Sequence, residues 1–307
     1  MTQGMSLAPA LPGRADQLAR AGTRALPGPL YFILLIASTP SGAIALALLA
    51  LHLLLVAVGP SLAPYSPTAL NLRHTLEAPS AAFPMGTDNN GRDVLSRVMA
   101  GARSIVLLSV ASTALAMGLG ILFGLIAGYL GGWKDELTMR GMDVLMSFPA
   151  LLLAMLVLTT LGPADANVIL ATALVFTPRV ARVVRSIVLD LRNREFVDAA
   201  RLRGESTAYI WLREIIPNAS PVILVETGIR LSYAIVLIAS LGFLGLGVQP
   251  PTPDWGLMVS DGRQYIYQAW WMVFFPSVAI ASLVIAVNLF KDRLEQVLNA
   301  QRSFEAS

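Results

Sequence analysis

The stretch SIVLLSVASTALAMGLGILFGLIAGYLGGW, residues 104–133, decides what kind of fold this chain can adopt. It contains no Asp, Glu, Lys or Arg, and it is longer than the roughly 20 residues that an α-helix needs to cross a bilayer. The whole chain has the same character, since 55% of its 307 residues are hydrophobic and only 13% are charged. A soluble domain carries about 25% charged residues. The sequence therefore predicts an all-α integral membrane protein.

Further uncharged windows predict six transmembrane helices. Two of the predicted helices carry charge. Helix 4 has to continue through Arg179, Arg182 and Arg185, whose long side chains can reach one interface, and helix 5 contains Glu226 and Arg230. The predicted spans are about 41–61, 104–131, 144–164, 166 through the three arginines, 218–246 and 270–290.

The distribution of basic residues predicts that both termini are cytoplasmic. With the N-terminus inside, the inner segments hold sixteen Lys and Arg and the outer loops hold five. Residues 1–29 lack the apolar core of a signal peptide, and residues 30–36 are better suited to an interfacial lead-in than to a span. The expected divisions are a cytoplasmic N-terminal segment, a peripheral helix, a periplasmic loop with an amphipathic helix, a five-helix core and a cytoplasmic tail: 1–40, 41–61, 62–103, 104–293 and 294–307.

Composition also argues against several chemistries. The absence of Cys excludes disulfides, thiol catalysis and Cys-ligated zinc, and the presence of only two His argues against a multi-histidine metal site. A phosphate-binding P-loop needs Gly-Lys followed by Ser or Thr, whereas Lys134 and Lys291 are each followed by Asp. The basic residues are spread over the loops, so nucleic acid is not an expected partner. We expect no catalytic, cofactor or metal site in this chain.

Two other classes of membrane protein compete with a transport subunit. A secondary transporter would need intramembrane ion-coupling groups or inverted repeats, and Glu226 is the only strong candidate for such a group. A membrane-embedded hydrolase would need a nucleophile beside a base, and His52 has no evident partner in the sequence. Co-purification with partner subunits would separate these classes.

Within helix 2, Gly120, Gly124 and Gly128 recur at four-residue spacing. Such a stripe of small residues lets another helix approach closely in a membrane. Packing within the same chain is favoured over packing against another subunit.

The connection between helices 4 and 5, residues 189–217, is far more polar than its surroundings. Gly204 can close a first short helix, Ser206 or Thr207 can cap a second one, and Pro217 suits the first turn of helix 5. Ala199 and Ala200 would let a partner protein approach the backbone. A plain amphipathic linker and a docking site for a partner are equally compatible with these residues.

The spacing of this connection resembles a known motif. An acidic residue (Asp198), Ala199-Ala200, three residues, Gly204, twelve residues and Pro217 is similar to the EAA loop of ABC importer permeases. Other stretches, spread over roughly residues 41–293, resemble the second permease of dipeptide, oligopeptide and nickel importers. They are Phe83-Pro-Met-Gly86-Thr-Asp88-Asn-Asn-Gly91-Arg92-Asp93, Gly128-Tyr-Leu-Gly-Gly-Trp133, Met142-Asp143-Val-Leu-Met-Ser-Phe148-Pro149 and Leu241-Gly-Phe243-Leu-Gly245-Leu-Gly247-Val-Gln249-Pro250-Pro251-Thr-Pro-Asp-Trp255-Gly256.

The resemblance implies the type I ABC importer (MetI-like) permease fold in a bacterial inner membrane. It implies a second homologous permease, two cytoplasmic ATPases that use ATP and Mg²⁺, and a periplasmic or lipid-anchored solute-binding protein. It also implies an ATPase-coupling role for Asp198, Ala199, Ala200, Arg201, Gly204, Ile216 and Pro217. The chain departs from the family pattern at Ile238, where the family has Glu, and at Gly242, where it has Ser. Di- or oligopeptides are the expected cargo, with nickel complexes, glutathione and other small polar solutes as alternatives.

Glu226 and Arg230 lie at i and i+4 near the middle of helix 5, in the order that favours an ion pair. A charge at this depth has to face protein or water. Either the two residues form a structural pair or a permease contact, or they line a path for polar solutes.

Overall fold

The computed structural model describes residues 28–305, and every named element in this range is a helix or a short 3₁₀ turn. Residues 1–27, with Arg14, Arg20 and Arg24 of the predicted inner segment, lie outside the described residues. The helices are α1 (Gly28–Ala37), α2 (Pro40–Leu62), α3 (Val94–Leu130), α4 (Gly132–Met146), α5 (Ala150–Leu161), α6 (Asp165–Leu191), α7 (Glu195–Leu202), α8 (Thr207–Phe243), α9 (Trp255–Gly262) and α10 (Trp271–Glu305).

Five of these helices, α2, α3, α6, α8 and α10, are long and apolar enough to span a membrane. The pair α4 and α5 is bent by 88° and gives a sixth span if the two count as one. The prediction of one continuous helix over 144–164 is therefore wrong, because the structure has two helices that meet at a sharp bend within this range. Pro149 stands at the break with non-helical backbone angles (φ = −55°, ψ = 134°), and a proline also disfavours the helical conformation of the residue before it, Phe148.

Two helices start earlier than the sequence predicts. The helix α3 begins at Val94, where the Asp93 side chain accepts a hydrogen bond from Ser96 N at 2.8 Å. The amphipathic helix expected in the outer loop is thus the first part of α3. The helix α8 begins at Thr207 and passes through a π-helical segment, Ile210–Ile215, before it reaches its transmembrane part. The second short helix expected in the polar connection and the predicted transmembrane helix 5 therefore form one continuous helix, α8.

The helices α3 and α6 pack through the glycine stripe. The Cα atoms of Gly120, Gly124 and Gly128 lie against a ridge of valines on α6, namely Val180, Val184 and Val188. A Cβ added to Gly124 would lie 2.6 Å from Val184 Cβ, and one added to Gly128 would lie 2.8 Å from Val188 Cβ. The stripe is used within this chain, as the sequence analysis favoured.

The loop between α2 and α3 is a packed structure at one end of the bundle. Asp88 accepts hydrogen bonds from the backbone N–H groups of Asn90 and Arg92 at 2.8 and 2.9 Å and pairs with Arg92 Nε at 2.6 Å. Trp271 Nε1 donates to Thr87 O at 3.0 Å, and so ties this loop to α10. Trp271 is buried while Trp270 is half exposed, so of these two only Trp270 is accessible at the surface of the bundle.

His52 occupies a packed position between helices. Its Nδ1 lies 2.8 Å from Leu48 O, its Nε2 lies 3.3 Å from Ser282 Oγ on α10, and its ring meets Trp255 edge-on. The residue is buried, with 3% exposure. This environment is that of a structural histidine.

Asp254 is a buried carboxylate that caps α9. Its Oδ1 accepts a hydrogen bond from Leu257 N at 2.8 Å, while no described group bonds to its Oδ2. The carboxylate lies directly over Gly242, where a Cβ would clash with Oδ1. The absence of a side chain at Gly242 therefore leaves room for Asp254. Burial raises the pKa of Asp254 to about 6.

We expect Gly124→Leu to lower the melting temperature of the detergent-solubilised protein, because the new side chain has to displace Val184 and the backbone oxygen of Ala181. Overpacking of this kind costs about 1–3 kcal/mol. Gly118→Leu is the matched control on the same helix, because no atom lies within 4 Å of the added Cβ. Equal melting temperatures for the two variants would contradict the packing described here.

We expect the stability of the protein to fall as the pH rises from about 4 to 7. The folded pKa of Asp254, about 6, exceeds the ordinary value of 3.8, so the folded state holds a proton that the unfolded state has released. This contribution is complete below 3.8, is lost as the pH passes 6 and amounts to about 3 kcal/mol. Melting curves of Asp254→Asn, which keeps the Oδ1 acceptor, should lack this part of the pH dependence. An unchanged slope would show that another group causes it.

Candidate coupling surface and membrane chamber

The helix α7 and the start of α8 form a tight hairpin, which we call the coupling hairpin (residues 195–217). Gly204 has φ = +78°, in the left-handed region that favours glycine. Gly204 N donates to Arg201 O at 2.9 Å and Glu205 N donates to Ala200 O at 3.2 Å, which is the Schellman pattern of a helix end. Ser206 Oγ then accepts from Tyr209 N at 3.2 Å and caps α8. Gly204 and Ser206 thus occupy the closing and capping positions that the sequence indicates.

The coupling hairpin is held to the bundle through one face only. Val197, Ala200, Ile210 and Ile215 are buried in a small apolar cluster together with the valines of α6. Asp198 and Ala199 are exposed on the opposite side of α7. The two alanines that the sequence analysis treats as one feature therefore differ, since Ala200 packs inside and Ala199 is accessible.

Tyr129, at the end of α3, anchors the hairpin and was not singled out from the sequence. Arg201 Nε donates to Tyr129 Oη at 3.3 Å, and the guanidinium lies 5.2 Å from the centre of the Tyr129 ring. The ring of Trp211 meets Tyr129 edge-on. The hydrogen bond with Tyr129 raises the pKa of Arg201, whose Nη1 also bonds Asp198 Oδ1 at 3.0 Å. The only available signal was the aromatic residue inside the Gly128-Tyr-Leu-Gly-Gly stretch.

The outer side of the coupling hairpin exposes large apolar side chains between charges. Leu202 is 89% exposed and Leu212 is 64% exposed. Arg203 bridges the hairpin through Glu214, at 3.4 Å. Two further residues have a predicted coupling role. Ile216 is half-buried and Pro217 is exposed. Apolar side chains that are exposed together and rimmed by charges are typical of a surface that contacts another protein.

The arginines of α6 do not behave as a set. Arg185 forms a bidentate pair with Asp135 of α4, with both N–O distances at 2.6 Å, and Arg182 pairs with Asp143. These pairs form because α4 brings carboxylates alongside α6, a contact that the sequence analysis did not anticipate. Among the described residues, Arg179 has no hydrogen-bond or ion-pair partner.

Glu226 and Arg230 form the ion pair that their spacing predicts. Arg230 Nε donates to Glu226 Oε1 at 2.6 Å, and the side chains are only 11% and 7% exposed for Arg230 and Glu226. Arg230 also borders a cavity of about 500 Å³, which we call the chamber. Its other lining residues come from α5, α6 and α8: Ala150, Leu151, Phe176, Arg179, Tyr233, Val236, Leu237 and Ser240.

Long apolar helices, a charged chamber and a polar hairpin at one end of the bundle are features of a multi-pass membrane protein. Residues 120–300, which include both the coupling hairpin and the chamber, match the family described as "Binding-protein-dependent transport system inner membrane component". The chain belongs to this family.

Relatives cover most of the chain. It is 40% identical over 246 residues to the di/tripeptide transport system permease protein DppC of Pseudomonas aeruginosa, covering 78% of this chain and 81% of that one. It is 38% identical over 252 residues to the probable D,D-dipeptide transport system permease protein DdpC of Escherichia coli, covering 82% and 85%. It is 40% identical over 223 residues to the glutathione transport system permease protein GsiD of Pectobacterium atrosepticum, covering 73% and 74%.

This membership identifies the chain as the permease subunit of an ABC importer, with the type I permease fold. The subunit is not itself an enzyme, because ATP is hydrolysed by a separate subunit of such systems. The secondary transporter and the membrane hydrolase are thereby set aside.

Proposed function

We propose that this chain moves di- or oligopeptides, or similar small polar solutes, into a bacterial cytoplasm, and that the coupling hairpin receives the movement of an ATPase subunit. The observation that carries this proposal is the hairpin itself. It is fixed on one face by buried residues and presents Leu202, at 89% exposure, on the other. The relatives named for dipeptide, D,D-dipeptide and glutathione transport support peptides as the cargo.

The helices around the coupling hairpin supply a mechanical path into the membrane. The helix α8 is continuous from Thr207 to Phe243, so a displacement of its first turn is carried along the helix. On the other side, Tyr129 and Arg201 connect the hairpin to α3, and Arg192 Nη1 bonds Gly128 O at 2.8 Å. Closure of the ATPases around ATP and Mg²⁺ would tilt these helices together and switch the side of the membrane to which the path opens.

The proposal includes the arrangement of the whole importer. Both termini and the coupling hairpin would face the cytoplasm of a bacterial inner membrane, in line with the sixteen inner and five outer basic residues. A second homologous permease would complete the path, two ATPases would bind inside, and a periplasmic or lipid-anchored solute-binding protein would deliver the cargo. This chain would bind no cofactor of its own. The whole proposal is tested by ATP-dependent peptide uptake in vesicles that hold the assembled importer.

We expect Gly204→Val to abolish peptide uptake while the protein still inserts in the membrane. The left-handed backbone conformation costs a residue with a side chain roughly 1–2 kcal/mol, and a β-branched residue adopts it least readily. Gly204→Asn is the matched control, because Asn tolerates this conformation and no atom lies within 4 Å of an added Cβ. Vesicle uptake and membrane content are measured for both variants. Normal uptake by Gly204→Val would refute the lever role of the hairpin.

We expect Leu202→Glu to reduce the amount of ATPase that co-purifies with the permease, because it places a charge on the apolar part of the coupling hairpin. The same substitution at Leu72, which is 72% exposed in the loop between α2 and α3, is the control and should retain the ATPase. The ratio of ATPase to permease after purification in detergent is the measurement. Equal ratios for the two variants would place the docking surface elsewhere.

A further inference from the structure

Arg179 is a charged residue near the middle of the apolar helix α6. It lies 14 residues after Asp165 and 12 residues before Leu191, so it is about 21 and 18 Å from the two ends of α6. It is half-buried, and among the described residues it forms no hydrogen bond or ion pair. An arginine at this depth is costly unless it faces water, protein or an anion. Its side chain lines the chamber.

The other charges of the chamber leave it with one net positive charge. Arg230 is neutralised by Glu226, with which it shares its Nε. The Nη atoms of Arg230 form no hydrogen bond among the described residues, so they remain free to donate. Arg179 adds a second guanidinium, for which the described part of the chain provides no counter-charge. Two guanidinium groups and one carboxylate are together complementary to a single monoanion.

We propose that the chamber holds the terminal carboxylate of a peptide during its passage, with Arg179 as the principal contact and Arg230 as the second. This inference rests on the proposed function and names the chemical group that the membrane path recognises. A planar guanidinium matches a carboxylate through two parallel hydrogen bonds. The volume of about 500 Å³ lies within the range of small-molecule sites, roughly 300–1,000 Å³.

The remaining lining suits a peptide rather than a simple inorganic anion. Phe176 and Leu237 provide apolar walls, and Tyr233 lies beside the guanidinium of Arg230, with 5.7 Å from Cζ to the ring centre. Ser240 Oγ donates to Val236 O at 2.7 Å and keeps lone pairs that can accept an N–H group. A carboxylate at the arginines would leave the apolar and amide parts of the peptide against these residues.

The absence of Cys from the chain allows a direct test of the chamber. In the assembled importer, Ser240→Cys would be the only thiol of this subunit, and its labelling by anionic and cationic methanethiosulfonates is followed by the mass of the subunit. The measured quantity is the ratio of the labelling rate with the anionic reagent to the rate with the cationic reagent. We expect this ratio to fall several-fold when Arg179→Gln is added to Ser240→Cys. Arg179→Lys, which keeps the charge, should preserve the preference.

The same cysteine reports whether a carboxylate binds. A dipeptide with a free carboxylate should slow labelling by the anionic reagent, and the C-terminal amide of the same dipeptide should not. Equal protection by both peptides, an unchanged reagent preference in Arg179→Gln, or no reaction with either reagent would overturn the proposal. The unchanged reagent preference is the result expected if an acidic residue of the partner permease lies beside Arg179.

Transport measurements separate this inference from the proposed function. We expect Arg179→Gln to lower ATP-dependent uptake of the dipeptide at least about tenfold, and Arg179→Lys to retain most of it, with equal amounts of bound ATPase. Normal uptake by Arg179→Gln beside an active wild type would refute the carboxylate site alone. A wild-type importer that takes up no peptide would refute the proposed function, while the charge preference of the cysteine would still report on the chamber.

Discussion

The close contact between α3 and α6 is the constraint on which the rest of the structure depends. Lipid supplies no hydrophobic force that drives helices together, so association in a membrane relies on backbones that approach closely. The glycines of α3 leave their space to Val180, Val184 and Val188 of α6, so the two helices approach closely. The end of this same interface carries Gly128, whose carbonyl accepts from Arg192.

The coupling hairpin is positioned by that interface. The hairpin follows α6 directly in sequence, and it contacts the end of α3 through Tyr129 and Arg201. It is therefore connected to two packed helices, α3 and α6, and continues directly into a third, α8. Such a connection is suited to rigid movement, because the buried residues Val197 and Ile215 hold the hairpin while its outer surface stays free for a partner.

Charged residues within the helices form ion pairs of two kinds, either along one helix or between two helices. Glu226 and Arg230 pair along one helix, and their four-residue spacing makes that contact predictable. Asp135 and Arg185 pair across two helices, 50 residues apart, and no local rule anticipates this contact. Arg179 differs from these residues because the chamber lies beside it in place of a carboxylate.

The differences from the sequence predictions share one cause. Uncharged windows mark apolar segments but not where the backbone bends, so one window of 144–164 conceals the 88° turn at Pro149. An uncharged window also stops at the first charged residue, although α3 includes Arg97, which is only 2% exposed. This buried charge is accommodated because Asp88 lies 3.6 Å from its Nε and a loop carbonyl accepts a hydrogen bond from it at 3.3 Å. Local turn chemistry was more informative, and Gly204 and Ser206 occupy the positions expected of them.

The sequence by itself determined that the chain is helical, lies in a membrane and carries a hairpin with the spacing of an ABC importer permease. These properties follow from hydropathy, composition and turn residues, which act over a few neighbouring positions. Only the tertiary structure decided that Ala200 is buried while Ala199 is accessible, that Tyr129 anchors the hairpin and that Arg179 faces a chamber. Each of these depends on helices that are distant in sequence, and the physical reason is that burial and charge pairing are set by which surfaces meet.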